Sequence, residues 1–529
     1  MKRPSSSFLS AFLSLVLLAA LAGGGAGFFS RASAQAAAKR WVLVYHQQNS
    51  LPADADRSVE RAGGTITARI PEIGAAVAES SNPNFAADAA RDPKVWGVAE
   101  DVEVQMIPGW DKMRAQVLEE SELSAAAATE PAGTDAQTGP DPFYNPFQWD
   151  KKRMRASNQG SYAVQRGRPD VTVAVLDTGA DILPVPHVDI NNPVTGTNFD
   201  AARSRSFFPA QPSPNGNPNP AAWDDKNGHG SWCLSAVGAP INGIGMVGVA
   251  PRVRLVALKV LGDNGSGSYP ALAQALVYAG NQKFDVASMS LGGYLPRNSQ
   301  STHVLIKLVQ RAVNYARENG VTPLAALSNE GFDISDGDFM RSFIVVPAEI
   351  DGVIGVSATG YFNLKASYSN YGVGKTDVSA PGGDFAVQTP VNPTPQHRGS
   401  VLGAWAAEAC GFPNCYVFAS GTSMATPNAA GVAALIISQY GDFTPDNSNK
   451  LHMSPQRVES YLQQSANNQP CPEPREVNYF TVIPLPGVPV GTQVEEPNQR
   501  CQGDAGYNNF YGKGIVDAFK AVTEAPGQN

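Results

Sequence analysis

The amino-acid sequence predicts an α/β protein, a doubly wound parallel sheet preceded by a small α+β ferredoxin-like domain. Three observations support this prediction. The chain has 529 residues, which is more than one ordinary domain contains. From residue 141 onward, short β-branched apolar runs alternate with longer helix-like runs, as in parallel sheets covered by helices. Ahead of that region, residues 39–106 carry a separate alternation of strand and helix patterns.

The first 34 residues predict a signal peptide. Met1-Lys2-Arg3 is followed by an apolar stretch from Phe8 to Leu21 and by Ala32-Ser33-Ala34, which has the form of a cleavage site. The apolar stretch is short and broken by glycines, so an uncleaved membrane anchor is the less favoured alternative. We therefore expect a secreted, extracellular protein that has no membrane contact after cleavage.

Residues 35–107 predict a self-contained α+β unit. Its predicted elements are a strand (Arg40–Tyr45), a helix (Ala53–Ala62), one or two strands (Thr65–Glu79), a helix (Asn82–Val95) and a last strand (Val98–Ile107). This β-α-β-β-α-β order is that of a ferredoxin-like sandwich. Residues 108–140 then change composition to Glu, Ser, Ala and Pro, which predicts an exposed linker without a core and a suitable place for processing.

Composition excludes one class of partner and points to disulfide bonds. The net charge is −8 and no basic patch is visible, so nucleic acid is not an expected partner. An exported chain meets an oxidising compartment, and this chain has five cysteines. We pair Cys410 with Cys415 and Cys471 with Cys501, each pair in or around one loop, and leave Cys233 as a buried free residue rather than a reactive thiol. Spacing alone leaves other connectivities open.

Three motifs supply the parts of a serine nucleophile. A buried-strand pattern ends at Asp177, which places a carboxylate at the carboxyl end of a parallel strand. His229 stands between two glycines before a helix-like run. Ser423 lies where a buried helix begins, so free N–H groups and the positive end of the helix dipole surround its hydroxyl. A hydroxyl, an imidazole and a carboxylate together can carry out acyl transfer, although Ser423 taken alone could equally be a helix N-cap.

These motifs resemble those of a known family. Val-Ala-Val-Leu-Asp177-Thr-Gly, Gly-His229-Gly-Ser and Gly-Thr-Ser423-Met-Ala-Thr-Pro are similar, in the same order, to the active-site motifs of subtilisin-like serine proteases (subtilases, peptidase family S8). The opening Asp141-Pro…Gln-Trp149 resembles the kexin-like branch, and Cys233 follows the histidine motif as in the proteinase K branch. The resemblance covers residues 141–529 as the catalytic domain. Trp232 replaces a second histidine that lies outside the triad, so we expect activity to survive.

The resemblance implies a role for each catalytic residue. Ser423 would be the nucleophile, His229 the general base and Asp177 the group that orients the imidazole. Asn329, in Leu-Ser-Asn-Glu-Gly after an apolar strand, would donate its amide to the oxyanion. Ser328 stands where the family has glycine, which affects the local backbone. A turn-forming role for Asn329 is the alternative.

The substrate-binding edge is also implied by the resemblance. Such an edge pairs with the peptide substrate as an antiparallel strand, and here it comprises Ser290, Leu291, Gly292 and Gly293. An ordinary strand-end turn is the alternative. Val345 aligns with the floor of the family's first specificity pocket, where a β-branched side chain would narrow it.

Calcium is the metal that the resemblance implies. The proposed ligands are three side chains and three backbone carbonyls: Asp141, Asp189 and Asn242, with the carbonyls of Pro240, Ile244 and Met246. An oxygen-only set of this kind suits a hard cation. Ordinary turn residues are the alternative, and histidines and cysteines are too scattered to suggest zinc.

Within residues 35–107, Ala62-Gly-Gly-Thr and Ile70-Pro-Glu-Ile-Gly-Ala-Ala-Val resemble the inhibitory propeptide of secreted subtilisins, with a permanent small domain as the alternative. In that family the segment assists folding and blocks the active site until it is cleaved. We therefore expect a secreted, calcium-stabilised, monomeric endopeptidase for protein or peptide substrates, made as an autoprocessed zymogen with its own propeptide as inhibitor. A transpeptidase or an inactive binding protein on the same fold are the alternatives.

Overall fold

The fold is described from a computed structural model of the chain. It describes residues 37–107, 115–118, 138–192, 194, 197–208, 220–336, 342–384, 399–443, 451–477, 480–482, 493–495 and 498–524. Ala38–Asn529 form one compact unit. The predicted signal peptide, residues 1–34, lies outside the described residues. Among the helices of the described part of the chain, none is long and apolar enough to cross a membrane.

The N-terminal domain is a four-stranded antiparallel sheet with two helices. Its elements are β1 (Lys39–Tyr45), α1 (Ala55–Arg61), β2 (Gly64–Ile70), β3 (Ala75–Ser80), α2 (Phe85–Ala89) and β4 (Val95–Glu100), in the sheet order β2-β3-β1-β4. The element order is the predicted β-α-β-β-α-β. The second helix is much shorter than the predicted Asn82–Val95, because Asp92 and Pro93 end it in a turn in which Asp92 accepts the Lys94 N–H.

Both faces of this small sheet are covered. Side chains alternate along a strand, so in β1 Leu43 and Tyr45 pack against the helices of the N-terminal domain. Val42 and Val44 face the other way and belong to the core that includes the main sheet. The domain is therefore docked through an apolar face.

Within the described residues, the catalytic unit is built on a seven-stranded parallel sheet, as the predicted doubly wound α/β fold requires. The sheet order is β16-β15-β13-β11-β7-β9-β8. The strands from β5 to β18 are β5 (Val104–Gln105), β6 (Gln116–Val117), β7 (Thr172–Asp177), β8 (Arg205–Ser206), β9 (Arg254–Lys259), β10 (Ser266–Gly267), β11 (Val286–Met289), β12 (Gly293–Pro296), β13 (Thr322–Ala326), β14 (Phe343–Val346), β15 (Ile354–Thr359), β16 (Val378–Pro381), β17 (Val401–Trp405) and β18 (Cys415–Ala419). Strand order reverses at β7, the crevice where such sheets bind ligands.

Helices cover both faces of the sheet. They are α3 (Tyr144–Phe147), α4 (Trp149–Arg153), α5 (Ser161–Val164), α6 (Pro220–Trp223), α7 (His229–Gly238), α8 (Tyr269–Asn281), α9 (Gln300–Glu318), α10 (Ala407–Cys410), α11 (Thr422–Tyr440), α12 (Pro455–Gln464) and α13 (Ala518–Thr523). Small two-stranded pairs follow towards the C-terminus: β19 (Asp442–Phe443) with β20 (Leu451–His452), β21 (Glu476–Val477) with β24 (Gln499–Arg500), and β22 (Phe480–Val482) with β23 (Gln493–Glu495). Residues 422–438 of α11 are all buried, which confirms the predicted buried helix.

The expectation of an exposed linker without a core was wrong in part. In the predicted linker, β6 adds a third strand to the β17–β18 hairpin, and Leu118 is buried with its N–H on the Tyr416 carbonyl at 2.9 Å. The two strands of that hairpin are themselves buried. Both segments gain tertiary contacts: Gly403 leaves room for the Trp232 ring, against which an added Cβ would lie at 2.3 Å.

The predicted cysteine pairing is confirmed. Cys410 is bonded to Cys415 and Cys471 to Cys501. Cys233 is free and buried, as expected. The first disulfide closes the β17–β18 hairpin directly before the strand that leads to Ser423.

Candidate active site

The carboxylate and the imidazole of the predicted triad meet at the reversal point of the sheet. Asp177 ends β7, and His229 begins α7. His229 Nδ1 lies 2.8 Å from Asp177 Oδ1 and 3.0 Å from Oδ2, and both side chains are fully buried. The Thr178 N–H also donates to Asp177 Oδ1 at 2.7 Å. Because a carboxylate only accepts, Nδ1 carries the proton and Nε2 is left to act as a base.

The glycines on either side of His229 are required by space and by backbone angle. Gly228 has φ 105°, and a Cβ atom placed on it would lie 2.1 Å from Nε1 of Trp405. A Cβ atom on Gly230 would lie 2.4 Å from the Gly179 carbonyl oxygen. The Gly230 N–H instead donates to Thr178 Oγ1 at 2.8 Å. The histidine motif is thereby packed closely onto the aspartate motif.

Ser423 is the second residue of the central helix α11, which follows strand β18 after a short connection. Its N–H is one of the first in the helix and has no intrahelical acceptor. Pro427 lies four residues on and has no N–H to donate to the Ser423 carbonyl. That carbonyl instead accepts the Ser290 hydroxyl at 2.8 Å. Because the proline lacks an N–H, the Ser423 carbonyl is free to bond Ser290 of the predicted substrate-binding edge.

The Ser423 hydroxyl points along the same edge. Its Oγ donates to the Ser290 carbonyl at 3.0 Å, while His229 Nε2 is buried and has no hydrogen-bond partner among the described residues. In this structure Ser423 Oγ is therefore hydrogen-bonded to the Ser290 carbonyl and not to His229. Hydrogen bonds of this kind are often formed only when substrate is bound.

The side chain of Asn329 is held next to the nucleophile. Its Oδ1 accepts the N–H of Thr422 at 2.8 Å and the hydroxyl of Thr422 at 3.0 Å. With Oδ1 occupied, the NH₂ group of the amide is left to donate to another acceptor. A donor fixed in this way, close to the first N–H groups of a helix, matches what a developing oxyanion requires.

The loop that carries Asn329 has an unusual backbone. Ser328 adopts φ 78°, in the left-handed region that favours glycine. A hydrogen-bonded group next to it supports this conformation: Asn370 Nδ2 donates to Tyr294 Oη at 2.6 Å and to Glu330 Oε2 at 3.1 Å, and the Tyr294 hydroxyl donates to Glu330. Oε2 of Glu330 also accepts the Asn329 N–H at 2.9 Å. The loop conformation is thus held by side chains rather than by a glycine.

The predicted substrate-binding edge carries an extended segment of the N-terminal domain. The Gly292 N–H donates to the Met106 carbonyl at 2.9 Å, and β5 pairs antiparallel with β10 on the other side. Met106 and Ile107 are only 4% and 3% exposed. Leu291 is buried in the core, and Gly293 begins β12, which pairs with β14.

Comparisons with known proteins agree with this arrangement. The model of the subtilase family matches residues 168–514. The chain belongs to the subtilase family. It is 36% identical over 266 residues to subtilisin Savinase of Lederbergia lenta, a match that covers 50% of this chain and 76% of Savinase. Its family is that of the subtilisin-like serine proteases.

Two further relatives show the extent of the likeness. M-protease of Shouchella clausii (strain KSM-K16) is also 36% identical over 266 residues, which are 50% of this chain but only 53% of M-protease. The chain thus matches about half the length of that relative. The crystal structure of the epidermin leader peptide processing serine protease EpiP from Staphylococcus aureus has a TM-score of 0.64 and 21% identity, over 93% of this chain and 99% of EpiP. At that identity the likeness shows the fold.

The residues predicted to bind calcium come together in this subtilase. Met246 N–H and Tyr416 Oη both donate to Asp189 Oδ2, at 2.9 and 2.6 Å, and Gly243 N–H donates to Asp141 Oδ1 at 2.9 Å. Asp189 Oδ1 is buried and accepts no hydrogen bond from the described residues. Burial raises the pKa of Asp189 to about 7, and the nearby Asp141 carboxylate adds to this rise. Burial also raises the pKa of Asp141 to about 6.

Sequence reasoning missed the residues that position the predicted ones. Thr422 anchors Asn329 from 93 residues away, and its only signal was its place beside Ser423. Lys259, fully buried beside Asp177 in the sheet, donates to the Thr178 carbonyl at 2.6 Å, and no motif indicated it. Cys233 Sγ lies 3.9 Å from His229 Nδ1, and burial raises the pKa of its thiol well above the usual value. A neutral thiol fits the expected structural role.

Proposed function

We propose that this subtilase is a secreted serine endopeptidase that hydrolyses peptide bonds through an acyl-enzyme. The observation that supports this most is the hydrogen-bonded Asp177–His229 pair, buried next to a serine at the start of a helix. Ser423 Oγ attacks the substrate carbonyl as His229 Nε2 takes its proton. Asp177 holds the Nδ1 proton in place and stabilises the imidazolium. His229 then returns the proton to the leaving amine, and water repeats the sequence to release the acid.

The negative charge on the carbonyl oxygen needs its own donors. The Asn329 amide and the Ser423 N–H are the two groups that the site offers, because the Asn329 oxygen is occupied by Thr422. In the related subtilisin, removal of the asparagine donor lowers kcat by about 10²–10³-fold. We assign the same role to Asn329.

Labelling with a fluorophosphonate tests this function directly. The reagent should modify one residue of the processed protein, Ser423, and peptide mass mapping would locate it. The same preparation should hydrolyse casein to peptides of ordinary mass. Labelling with no hydrolysis, but with products extended by an added amine, would support a transpeptidase, and no labelling would support an inactive binding protein.

We further propose that residues 35–107 inhibit the enzyme until they are removed. The Met106 carbonyl already takes the Gly292 N–H that a substrate strand would need, and β5 fills the space beside β10. A peptide that pairs with an edge strand competes with any other strand for the same backbone groups. The N-terminal domain would therefore block the cleft until processing releases it, and a permanent small domain is the competing proposal.

A buried arginine should hold this domain in place. Arg311 of helix α9 is 6% exposed, and its Nη1 donates to the carbonyls of Tyr45 at 2.8 Å and Ile73 at 3.0 Å in the N-terminal domain. In Arg311→Ala two carbonyls lose their donor, at about 1–3 kcal/mol for each unsatisfied group. The lag before full casein activity should shorten about tenfold or more.

The matched control for Arg311 lies on the same helix. Arg317 donates to the Gly352 carbonyl and pairs with Glu459, and neither of these partners belongs to the N-terminal domain. Arg317→Ala should therefore leave the lag as it is in the wild type. Equal lags in all three proteins would rule out a docking role for Arg311.

We also propose that calcium binds between Asp141 and Asp189. The residues fit a hard cation because two buried carboxylates lie close together and one oxygen, Asp189 Oδ1, has no donor among the described residues. The Asn242 side chain and the carbonyls of the 240–246 loop would complete the set. The ion would offset the repulsion between the carboxylates and fix this loop against the start of the catalytic unit.

Calcium should raise the melting temperature of the processed enzyme, and EDTA should reverse the gain. A ligand whose free concentration is 1,000 times its Kd raises the free energy of unfolding by about 4 kcal/mol. The gain should grow from pH 5 to pH 8, since protons compete for the Asp189 carboxylate below its raised pKa of about 7. Asp189→Asn should abolish the calcium effect, and a gain that persists in this variant would place the ion elsewhere.

A further inference from the structure

We infer that Ser328 and Val345 restrict this protease to substrates with a very small side chain, Gly, Ala or Ser, at the residue before the cleaved bond. This inference rests on the proposed peptidase function and adds the substrate class. The attacked carbonyl must reach Ser423 Oγ and the Asn329 amide. The side chain of the substrate residue that carries this carbonyl must then enter the slot between the ends of β11 and β13. These two strands are neighbours in the sheet, with Met289 opposite Ala325.

The width of this slot can be measured from Gly292. A Cβ atom placed on Gly292 would lie 3.4 Å from Ser328 Oγ, 3.5 Å from Val345 Cγ1 and 3.8 Å from the Ala326 carbonyl oxygen. These are already contact distances for carbon, whose optimum is about 3.5–4.0 Å. Ser328 and Val345 therefore lie within contact of a single carbon atom attached to Gly292, so a substrate side chain has little room between them. A leucine or an aromatic ring would overlap these atoms.

Tyr294 flanks Val345 on this side of the slot. Tyr294 lies directly opposite Val345 in the β12–β14 pair, so the two side chains share a face. Its hydroxyl is fixed by Asn370 and Glu330. Val345 is fully buried beneath it. A longer side chain could not displace this group without breaking its hydrogen bonds.

The backbone of Ser328 gives an independent indication. A non-glycine residue at φ 78° costs of order 1 kcal/mol or more, a cost that glycine would not incur. Such conformations cluster at functional sites. Here the strained residue is the one whose side chain narrows the slot. The backbone strain and the narrow slot thus both indicate that the Ser328 side chain limits the size of the substrate side chain.

The test compares processed enzymes on succinyl-Ala-Ala-Pro-X p-nitroanilides, with X as Ala, Leu or Phe. Wild type should prefer Ala over Phe in kcat/KM by at least about 100-fold, since one methylene in a closed pocket changes the ratio by about 10- to 200-fold. Ser328→Gly should reduce the preference about tenfold or more. Ser328→Gly combined with Val345→Ala should reduce it further.

Val346→Ala is the matched control. Val346 is also fully buried in β14 but lies on the opposite side of the strand. The Val346→Ala variant should leave the ratio of kcat/KM for the Ala and Phe substrates unchanged. The inference would be overturned if the wild type cleaved the Leu or Phe substrate at the same rate as the Ala substrate, or if the variants kept the wild-type ratio. The proposed peptidase function would still stand in that case, provided that casein is hydrolysed. If casein and every peptide stay intact, the proposed function itself is wrong.

Discussion

Ser423→Ala should lower casein hydrolysis by about a millionfold and leave the N-terminal domain attached. Loss of the nucleophile in the related subtilisin has an effect of this size. The reason here is that Ser423, at the start of α11 with its hydroxyl on the Ser290 carbonyl, is the residue assigned as the nucleophile. Without it no acyl-enzyme forms, so the chain cannot process itself. Casein assays and intact mass of wild type and variant measure both effects.

Ser438→Ala is the control for this substitution. Ser438 lies on the same helix and is also buried, with its hydroxyl on the Ala434 carbonyl at 2.7 Å. This variant should process itself and hydrolyse casein as the wild type does. If Ser423→Ala still loses its N-terminal domain in a pure preparation, autoprocessing is excluded. If it still hydrolyses casein, the catalytic assignment is wrong.

The triad could be predicted from sequence because each member occupies a position that local sequence determines. Asp177 follows a β-branched run, which must end at the carboxyl edge of the sheet. Ser423 precedes a long run of small and apolar residues, which must be a buried helix. Strand ends and helix starts are readable from neighbours in the chain. The assembly of these positions into one site then follows from the topology of a parallel sheet.

The parts that could not be predicted depend on contacts between distant residues. Residues 115–118 form a strand only because the edge of β18 accepts them, although their own composition is that of a linker. The strands of the β17–β18 hairpin are buried, and Trp232 packs against Gly403 of β17. Thr422 and Lys259 act on the catalytic residues through hydrogen bonds that no local pattern announces. Propensity is overridden in each case by tertiary packing.

Asp177→Asn should lower kcat by about 10⁴-fold while the protein stays folded. Asparagine has almost the same shape, but its amide cannot enforce the Nδ1–H tautomer of His229 or stabilise the imidazolium. In the wild type both carboxylate oxygens lie within 3.0 Å of Nδ1, in a fully buried setting. The kinetics of peptide hydrolysis, with a melting curve for each protein, would measure the loss of activity apart from any loss of stability.

The double variant Asp177→Asn/Ser423→Ala separates this role from a structural one. Asp177 acts on Ser423 only through His229. Once the serine hydroxyl is gone, the orientation of the imidazole no longer affects catalysis. The double variant should therefore be no less active than Ser423→Ala alone, because catalytic residues that act as a unit are not additive. A further large loss in the double variant would mean that Asp177 supports activity by another route. The residues of a catalytic triad act as one unit. Comparison of the two single variants with the double variant therefore measures whether Asp177, His229 and Ser423 act in this way.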